Sequence, residues 1–295
     1  MNDVGPRRVL VTGAAGMLGS QLLRSAPPGV VAVGTDLAPG VEHPGVDLAD
    51  RDTVEALLER AGPLAGVLHA AAYTAVDRAE AEPALAERVN ATACEVLARA
   101  AAARDVALVV VGTDFVFDGL ARTPYGTQAE PAPLSVYGRT KLAGERVALA
   151  AHPAGTAVVR TQWLYGPRGN HFPRTIVGLA RERGSLRVVD DQVGSPTTTL
   201  ELAPALWDVW RLGGRGVYHA ACEGECSWHG LTAALLEELG LDDVRLEPCS
   251  TAEFPRPARR PTYSVLDSSR LAELRGRTLA PWRKALCDYL EEDPL

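Results

Sequence analysis

The chain has 295 residues, 46% of them hydrophobic, enough for one large core or two intimate ones. A net charge of −7 and a pI near 5.5, with no basic run to offset them, argue against a nucleic-acid or membrane-surface partner and for a small-molecule ligand. No apolar stretch reaches the length of a membrane span and MNDVGPRRVL lacks a signal-peptide core, so a cytoplasmic enzyme is expected.

In chain order, residues 8–12 read as a short apolar strand, followed by Gly13, Gly16 and Gly19 in VTGAAGMLGS and a helical stretch through residue 23. Strand, glycine turn and helix in this order form a dinucleotide-binding fingerprint. The first glycine permits the tight turn, the second lets backbone N–H groups approach a pyrophosphate, and the third lets the helix pack against the strand. A second apolar run, 30–34, ends at Asp36, about twenty residues on, where a carboxylate can accept hydrogen bonds from an adenosine ribose.

Further strand-like runs at 67–70, 107–111 and 157–160 alternate with helical stretches at 53–61, 83–103 and 136–151. This alternation predicts an α/β fold, a Rossmann-type doubly wound parallel sheet with helices on both faces. Ligands in such sheets bind at the carboxyl edge of the strands. The small residues Ala70, Ala71 and Ala72 lie at that edge after the third strand, and Thr113 and Asp114 after the fourth. A Thr113 hydroxyl there can donate to a substrate carbonyl oxygen.

The helix at 136–151 carries Tyr137 and Lys141 in SVYGRTKLAGE, and Lys141 is one of only two lysines among thirty basic residues. Residues four apart share a helical face, so the ammonium is expected beside the phenol, favouring its ionised form and making Tyr137 a proton donor or acceptor.

Beyond residue 165 the alternation loosens: a helix at 172–183, the run LRVVD, a helix at 199–212, the strand-like GVYHA at 216–220, a helix at 228–239, a proline-rich loop at 254–261 and short terminal helices. We read residues 1–165 as a cofactor domain and 166–295 as a smaller substrate domain, interleaved because the strand near 216–220 looks buried enough to return to the sheet. The cysteines Cys94, Cys222, Cys226, Cys249 and Cys287 are odd in number and lack framework spacing, as expected of reduced thiols. Cys222, Cys226 and His229 have no fourth ligand nearby, so no metal site is expected.

Together these motifs resemble the dTDP-4-dehydrorhamnose reductases of the extended short-chain dehydrogenase/reductase superfamily. The resemblance runs through VTGAAGMLGS, Asp36 and Asp47, HAAAYTAVDRAEAEP, VNA around Asn90, TDFVFDG, SVYGRTKLAGE, VVRTQWLYGPRGNHF, VVDDQVGSPT, the CSW that ends at Trp228, and ARRPTYSVLDSSRL. It implies Thr113, Tyr137 and Lys141 as the catalytic triad, with Lys141 also holding the nicotinamide ribose. It implies Asp36, Asp47 and Leu48 beside the adenosine of NADPH or NADH, Met17 and Leu18 at the glycine turn, and Ala71, Ala72 and Tyr73 along the cofactor's middle. Thr113, Asp114, Phe115 and Trp163 would border a dTDP-4-keto-6-deoxyhexose. Arg259 and Arg260 read first as solvated surface, although a diphosphate needs cations and the proline-rich loop can present them. The implied reaction is reduction of dTDP-4-dehydrorhamnose to dTDP-L-rhamnose, and the resemblance leaves room for a homodimer.

Phe115 departs from the family, which usually has tyrosine there, so another dTDP-4-keto-deoxysugar is an open alternative. Related dehydratases carry an acid–base Asp-Glu pair at this point, and phenylalanine cannot do that chemistry. A nucleotide-sugar epimerase, and a non-catalytic regulatory subunit like that of methionine adenosyltransferase, share the same resemblance and remain as rivals.

Overall fold

The computed structural model describes residues 5–295; residues 1–4, part of the N-terminal run read for a leader, lie outside it. A seven-stranded parallel sheet organises the chain. Its strands are β1 (Arg7–Thr12), β2 (Val30–Asp36), β3 (His43–Pro44), β4 (Gly66–His69), β5 (Ala107–Thr113) and β6 (Thr156–Thr161), with β7 (Leu164–Tyr165), β8 (Ser185–Val189), β9 (Val193–Gly194) and β10 (Thr197–Thr198) lying outside it before β11 (Gly216–His219) rejoins. The spatial order β11-β6-β5-β4-β1-β2-β3 reverses direction between β1 and β4, the switch point at which such sheets open a crevice.

Alternation of side chains along each strand feeds two cores. From β1, Val9 and Val11 face one layer and Leu10 the other. The second layer is filled by α2 (Arg51–Ala61) and α5 (Ala93–Ala102), with Ala148 of α6 (Val136–Ala151). The first holds α1 (Met17–Arg24) and α8 (Thr199–Arg211). Helix α8 arrives from the C-terminal part, and its Trp207 and Trp210 indoles donate to the carbonyls of Leu22 (3.2 Å) and Ala65 (3.1 Å). Both α8 and β11 are therefore built into the sheet layers, although they follow residue 165.

The predicted helix at 83–103 is interrupted. It resolves into α4 (Pro83–Glu87), a π-helical turn at Arg88–Thr92 and α5, preceded by the short α3 (Val76–Ala81). The cause is Asn90, whose side chain bonds to the Tyr73 backbone and to Thr140 instead of facing solvent. Gly144 of α6 makes room for the bulge: a Cβ there would lie 2.1 Å from the Asn90 carbonyl oxygen.

A third core joins α7 (Phe172–Arg183), β8, α9 (Trp228–Glu238) and α11 (Trp282–Glu292), through Ile176, Leu186, Leu235 and Tyr289. Here β13 (Arg245–Cys249) pairs in parallel with β8, and β12 (Cys226–Ser227) pairs antiparallel with β9. Neither β12 nor β13 was evident from the sequence, because β12 has only two residues and RLEPC of β13 carries two charged residues and a proline. Among the described residues no helix is long and apolar enough to cross a membrane.

Candidate active site

The carboxyl ends of β1, β4 and β5 open into one cleft of about 640 Å³. Its cofactor end is built by the glycine turn. Gly13 has φ +66°, and a Cβ on it would sit 2.7 Å from the Ala71 nitrogen; a Cβ on Gly19 would sit 2.0 Å from the Gly13 carbonyl oxygen. Strand, turn and helix can approach this closely only with glycine at both positions. Gly16 caps α1 without a side-chain hydrogen bond, so the first-turn N–H groups face the cleft with no internal partner, the ordinary arrangement for an anion. Met17, Leu18, Ala71 and Ala72 line the same wall.

Asp36, at the end of β2, accepts hydrogen bonds from the Ala15 N–H (3.0 Å) and the Ala38 N–H (2.9 Å), and so braces the turn while lining the cleft. Asp47 and Leu48 line a small adjoining pocket with Asp36 and Val89. Asp47 is tied to Arg88 of the π turn. Tyr73 is the exception among the expected cofactor residues. Its hydroxyl donates to Glu82 and its N–H to the Asn90 side chain (2.8 Å), which packs the ring beside Val76 and Tyr137 rather than along the cleft.

At the other end lie Thr113, Asp114 and Phe115, with Tyr137 and Lys141 on α6 and Trp163 after β6. Ser135 caps α6 by accepting from the Gly138 N–H (3.1 Å), which fixes the helix start one residue before Tyr137. The Phe115 ring meets Tyr137 edge-on, with centroids 5.4 Å apart. Tyr137 and Lys141 do share a helical face, but the expected pairing of ammonium and phenol is not what forms. Lys141 Nζ donates to the Val111 carbonyl at 2.7 Å. Burial pushes the Tyr137 phenol up to about 12, only partly offset by the Thr113 hydroxyl, and the carboxylates of Asp114 and Glu145 add to the rise. Burial also lowers Lys141, against the nearby Cys94 and Glu145. Desolvation outweighs the helical spacing, so the phenol is a protonated group at neutral pH.

Beyond Tyr137 and Lys141 on α6 sits a buried ion pair that the sequence did not single out. Glu145 Oε2 accepts from Arg160 Nε (3.0 Å) and Nη2 (2.8 Å), with the two side chains 2% and 5% exposed. The other carboxylate oxygen lies against β5, where a Cβ on Gly112 would come within 2.4 Å of it. The signal was present: Tyr137, Lys141 and Glu145 follow one another at intervals of four on α6. Asp114, 2% exposed, is raised to about 7 by burial, with the Ser264 and Thr113 hydroxyls only partly opposing it.

A second cleft, of about 550 Å³, lies between α7, β8 and the loop at 254–260. Its floor is apolar (Ile176, Leu179, Leu186, Val188) and its rim cationic (Arg183, Arg187, Arg256, Arg259, Arg260). Arg260 reaches across to Asp77 of α3 through two 3.0 Å hydrogen bonds, tying this rim to the helix that follows the Ala70–Ala72 edge. Arg259 is exposed. Cys222 and Cys226, the pair weighed for zinc, are both pushed up to about 12 by burial, which keeps them as thiols.

Comparison with known proteins bears on what these clefts take. Residues 7–294 match the family model described as the RmlD substrate binding domain. A dTDP-4-dehydrorhamnose reductase of Mycobacterium tuberculosis is 44% identical over 290 residues, covering 96% of this chain and 92% of the relative. A probable dTDP-4,6-dihydroxy-2-methyloxan-3-one 4-ketoreductase of Streptomyces antibioticus is 42% identical over 284 residues, covering 95% and 93%. Among solved structures, a dTDP-4-dehydrorhamnose reductase of Bacillus anthracis in complex with NADP superposes with a TM-score of 0.89 at 32% identity, covering 97% of this chain and 99% of that one.

Proposed function

The chain belongs to the dTDP-4-dehydrorhamnose reductase family, and on that premise we propose that it reduces the 4-keto group of a dTDP-4-keto-6-deoxyhexose with NADPH or NADH, converting dTDP-4-dehydrorhamnose to dTDP-L-rhamnose. The observation that carries this reading is the single cleft in which an uncapped glycine-turn helix meets Thr113, Tyr137 and Lys141, beside a second cleft that is apolar below and arginine-rimmed above.

The residues fit a dinucleotide. Gly13, Gly16, Met17, Leu18 and Gly19 would hold its diphosphate at the start of α1, Asp36, Asp47 and Leu48 its adenosine, and Ala71 and Ala72 its middle. Lys141, near the Val111 carbonyl, would take the nicotinamide ribose, and Tyr73 would contribute its backbone at most. When bound, the reduced nicotinamide supplies hydride to the ketone carbon. The protein's part is to manage the oxygen. Thr113 turns its one hydroxyl proton from Asp114 to the carbonyl oxygen as charge develops there, and Tyr137 delivers its proton to it. A phenol held protonated by burial is the form this step needs, and an alkoxide is basic enough to take the proton. Lys141, one turn along the same helical face but donating to the Val111 carbonyl, would reach the phenolate left behind only by leaving that carbonyl.

Asp114, Phe115 and Trp163 would border the hexose, and the second cleft would take the thymidine diphosphate, with Arg259 and Arg260 toward its phosphates. Phe115 offers no proton, which disfavours water elimination. Division of labour at residue 165 follows, with α8 and β11 returning from the substrate half to complete the sheet. A second reading, reduction of a different dTDP-4-keto-deoxysugar, is favoured by Phe115 and by the 42% identity to the Streptomyces antibioticus relative. Turnover of NADH or NADPH with a panel of dTDP-4-keto sugars separates the two: the first reading expects the L-lyxo sugar to be used best, the second a sugar of other configuration or lacking the 2-hydroxyl.

A further inference from the structure

Trp163 is one of two non-glycine residues with positive φ among the described residues, at 45°. A bulky side chain in left-handed backbone is a strained arrangement that persists only when its surroundings over-determine it. Two contacts do so. The Trp163 indole stacks face to face on Trp228, with centroids 3.6 Å apart and planes 8° from parallel. Its edge runs against Gly194 of β9, where a Cβ would come within 2.6 Å of the ring.

The row continues away from the cofactor. Trp228 meets Phe172 at 4.5 Å and 49°, and its Nε1 donates to Gln192 Oε1 at 3.2 Å. Trp163 lines the cofactor cleft, whereas Trp228, Phe172 and Gln192 line the arginine-rimmed cleft. One aromatic stack therefore has an end in each cleft. Neither tryptophan is fully buried: Trp228 and Phe172 pack against the edge of the third core, and the pair forms a wall shared by the two clefts.

We propose that Trp228 is a positioning residue for the hexose: its stack holds Trp163 in the strained backbone as a wall of the sugar subsite, so that nucleotide in the second cleft sets the geometry around the ketone in the first. This rests on the proposed reductase function, in which one dTDP-sugar spans both clefts. The stack is rigid and two-sided, so a ligand that presses on Trp228 is felt at Trp163 without any contact of its own there.

The test has a spectroscopic and a kinetic arm. Coupled indoles contribute exciton bands in circular dichroism, and the wild-type minus Trp228→Phe difference isolates the stacked pair from the Trp207–Trp210 pair; dTDP alone, titrated into both proteins, should change that difference saturably. In single turnover at saturating sugar nucleotide, Trp228→Leu should slow NADH oxidation about tenfold, and Trp228→Phe, which keeps a flat ring under Trp163, should stay within about twofold of wild type. Both variants should bind NADH as wild type does, because the glycine turn is remote from the stack. A difference unmoved by bound dTDP, or equal saturated rates for Trp228→Leu and wild type, overturns the inference and leaves the function standing. If Trp228→Leu fails to fold, the dTDP titration and Trp228→Phe decide alone. Wild-type protein that oxidises no reduced cofactor with any dTDP-4-keto sugar removes the function, and the inference with it.

Discussion

The two clefts are built on opposite principles. In the cofactor cleft the reactive groups are buried and already committed: Lys141 to the Val111 carbonyl, Glu145 to Arg160, Thr113 to Asp114, with Tyr137 9% exposed. In the second cleft the floor is apolar and the cations stand at an open rim, where Arg256 and Arg259 are exposed and Arg187 and Arg260 are held by partly exposed carboxylates. A site that must present charge to a transition state is preorganised in low dielectric, whereas one that must admit and release a charged ligand keeps its cations in water. Substitutions should then act differently in the two places: on stability and rate in the first, on ligand affinity in the second.

The largest expected effect is on folding. Glu145→Ala leaves Arg160 buried without its partner, which should cost about 3–5 kcal/mol by denaturant unfolding. A loss under about 1 kcal/mol would mean that water reaches Arg160 and that the cofactor cleft is less closed than described. Next comes chemistry: Tyr137→Phe should lower turnover by roughly a hundredfold or more with cofactor affinity near normal. Wild-type-like turnover in that variant would remove Tyr137 from the proton-donor role.

Asp114 supplies a pH test of the same contrast. Its folded value is raised to about 7 from 3.8, so its contribution to stability is fully present below the unfolded value and is lost as pH rises through about 7. Asp114→Asn has no such loss. Relative to wild type it should therefore gain about 4 kcal/mol between roughly pH 4 and pH 8, read from unfolding curves at each pH. A constant difference across that range would place the carboxylate in contact with solvent.

The rim should respond more gently. Arg259→Ala should raise KM for the sugar nucleotide by about tenfold with kcat nearly unchanged and no measurable change in stability, since the residue is exposed. A fall in kcat at saturation would instead tie the rim to the chemistry. The smallest shift concerns cofactor choice. Asp36 lines the pocket proposed for the adenosine, and no cation follows among residues 37–41 to offset repulsion of a 2′-phosphate. NADH should be at least comparable to NADPH in kcat/KM, and Asp36→Ala should move preference toward NADPH. A strong wild-type preference for NADPH would mean that a basic residue elsewhere reaches the phosphate.

The contrast also explains what the sequence revealed. The glycine turn, the strand ends and α6 were legible because each is local: Gly13 and Gly19 answer to one turn, and Tyr137 and Lys141 to one helical face. What that face does was not legible, since the Lys141 ammonium goes to a carbonyl of β5, thirty residues away in sequence, and burial sets the Tyr137 phenol. The π turn at Asn90 was hidden for the same reason: its cause is Thr140 and Tyr73, not its neighbours in helical register. Trp207 and Trp210 bring α8 onto the sheet through carbonyls of Leu22 and Ala65, a contact no periodicity encodes. In the second cleft Arg260 read from its loop as solvated surface with a diphosphate contact left open, yet in the fold it answers to Asp77.

The most direct test is absorbance of the reduced nicotinamide while purified protein is given dTDP-4-dehydro-6-deoxy-L-mannose, formed in place by an epimerase, with NADH or NADPH. The account predicts oxidation of cofactor in step with loss of the ketone, and weak or no use of the unepimerised D-xylo sugar. A protein that leaves the cofactor reduced, binds neither dTDP nor dinucleotide and instead co-purifies stoichiometrically with another enzyme would contradict it and make the chain a regulatory subunit.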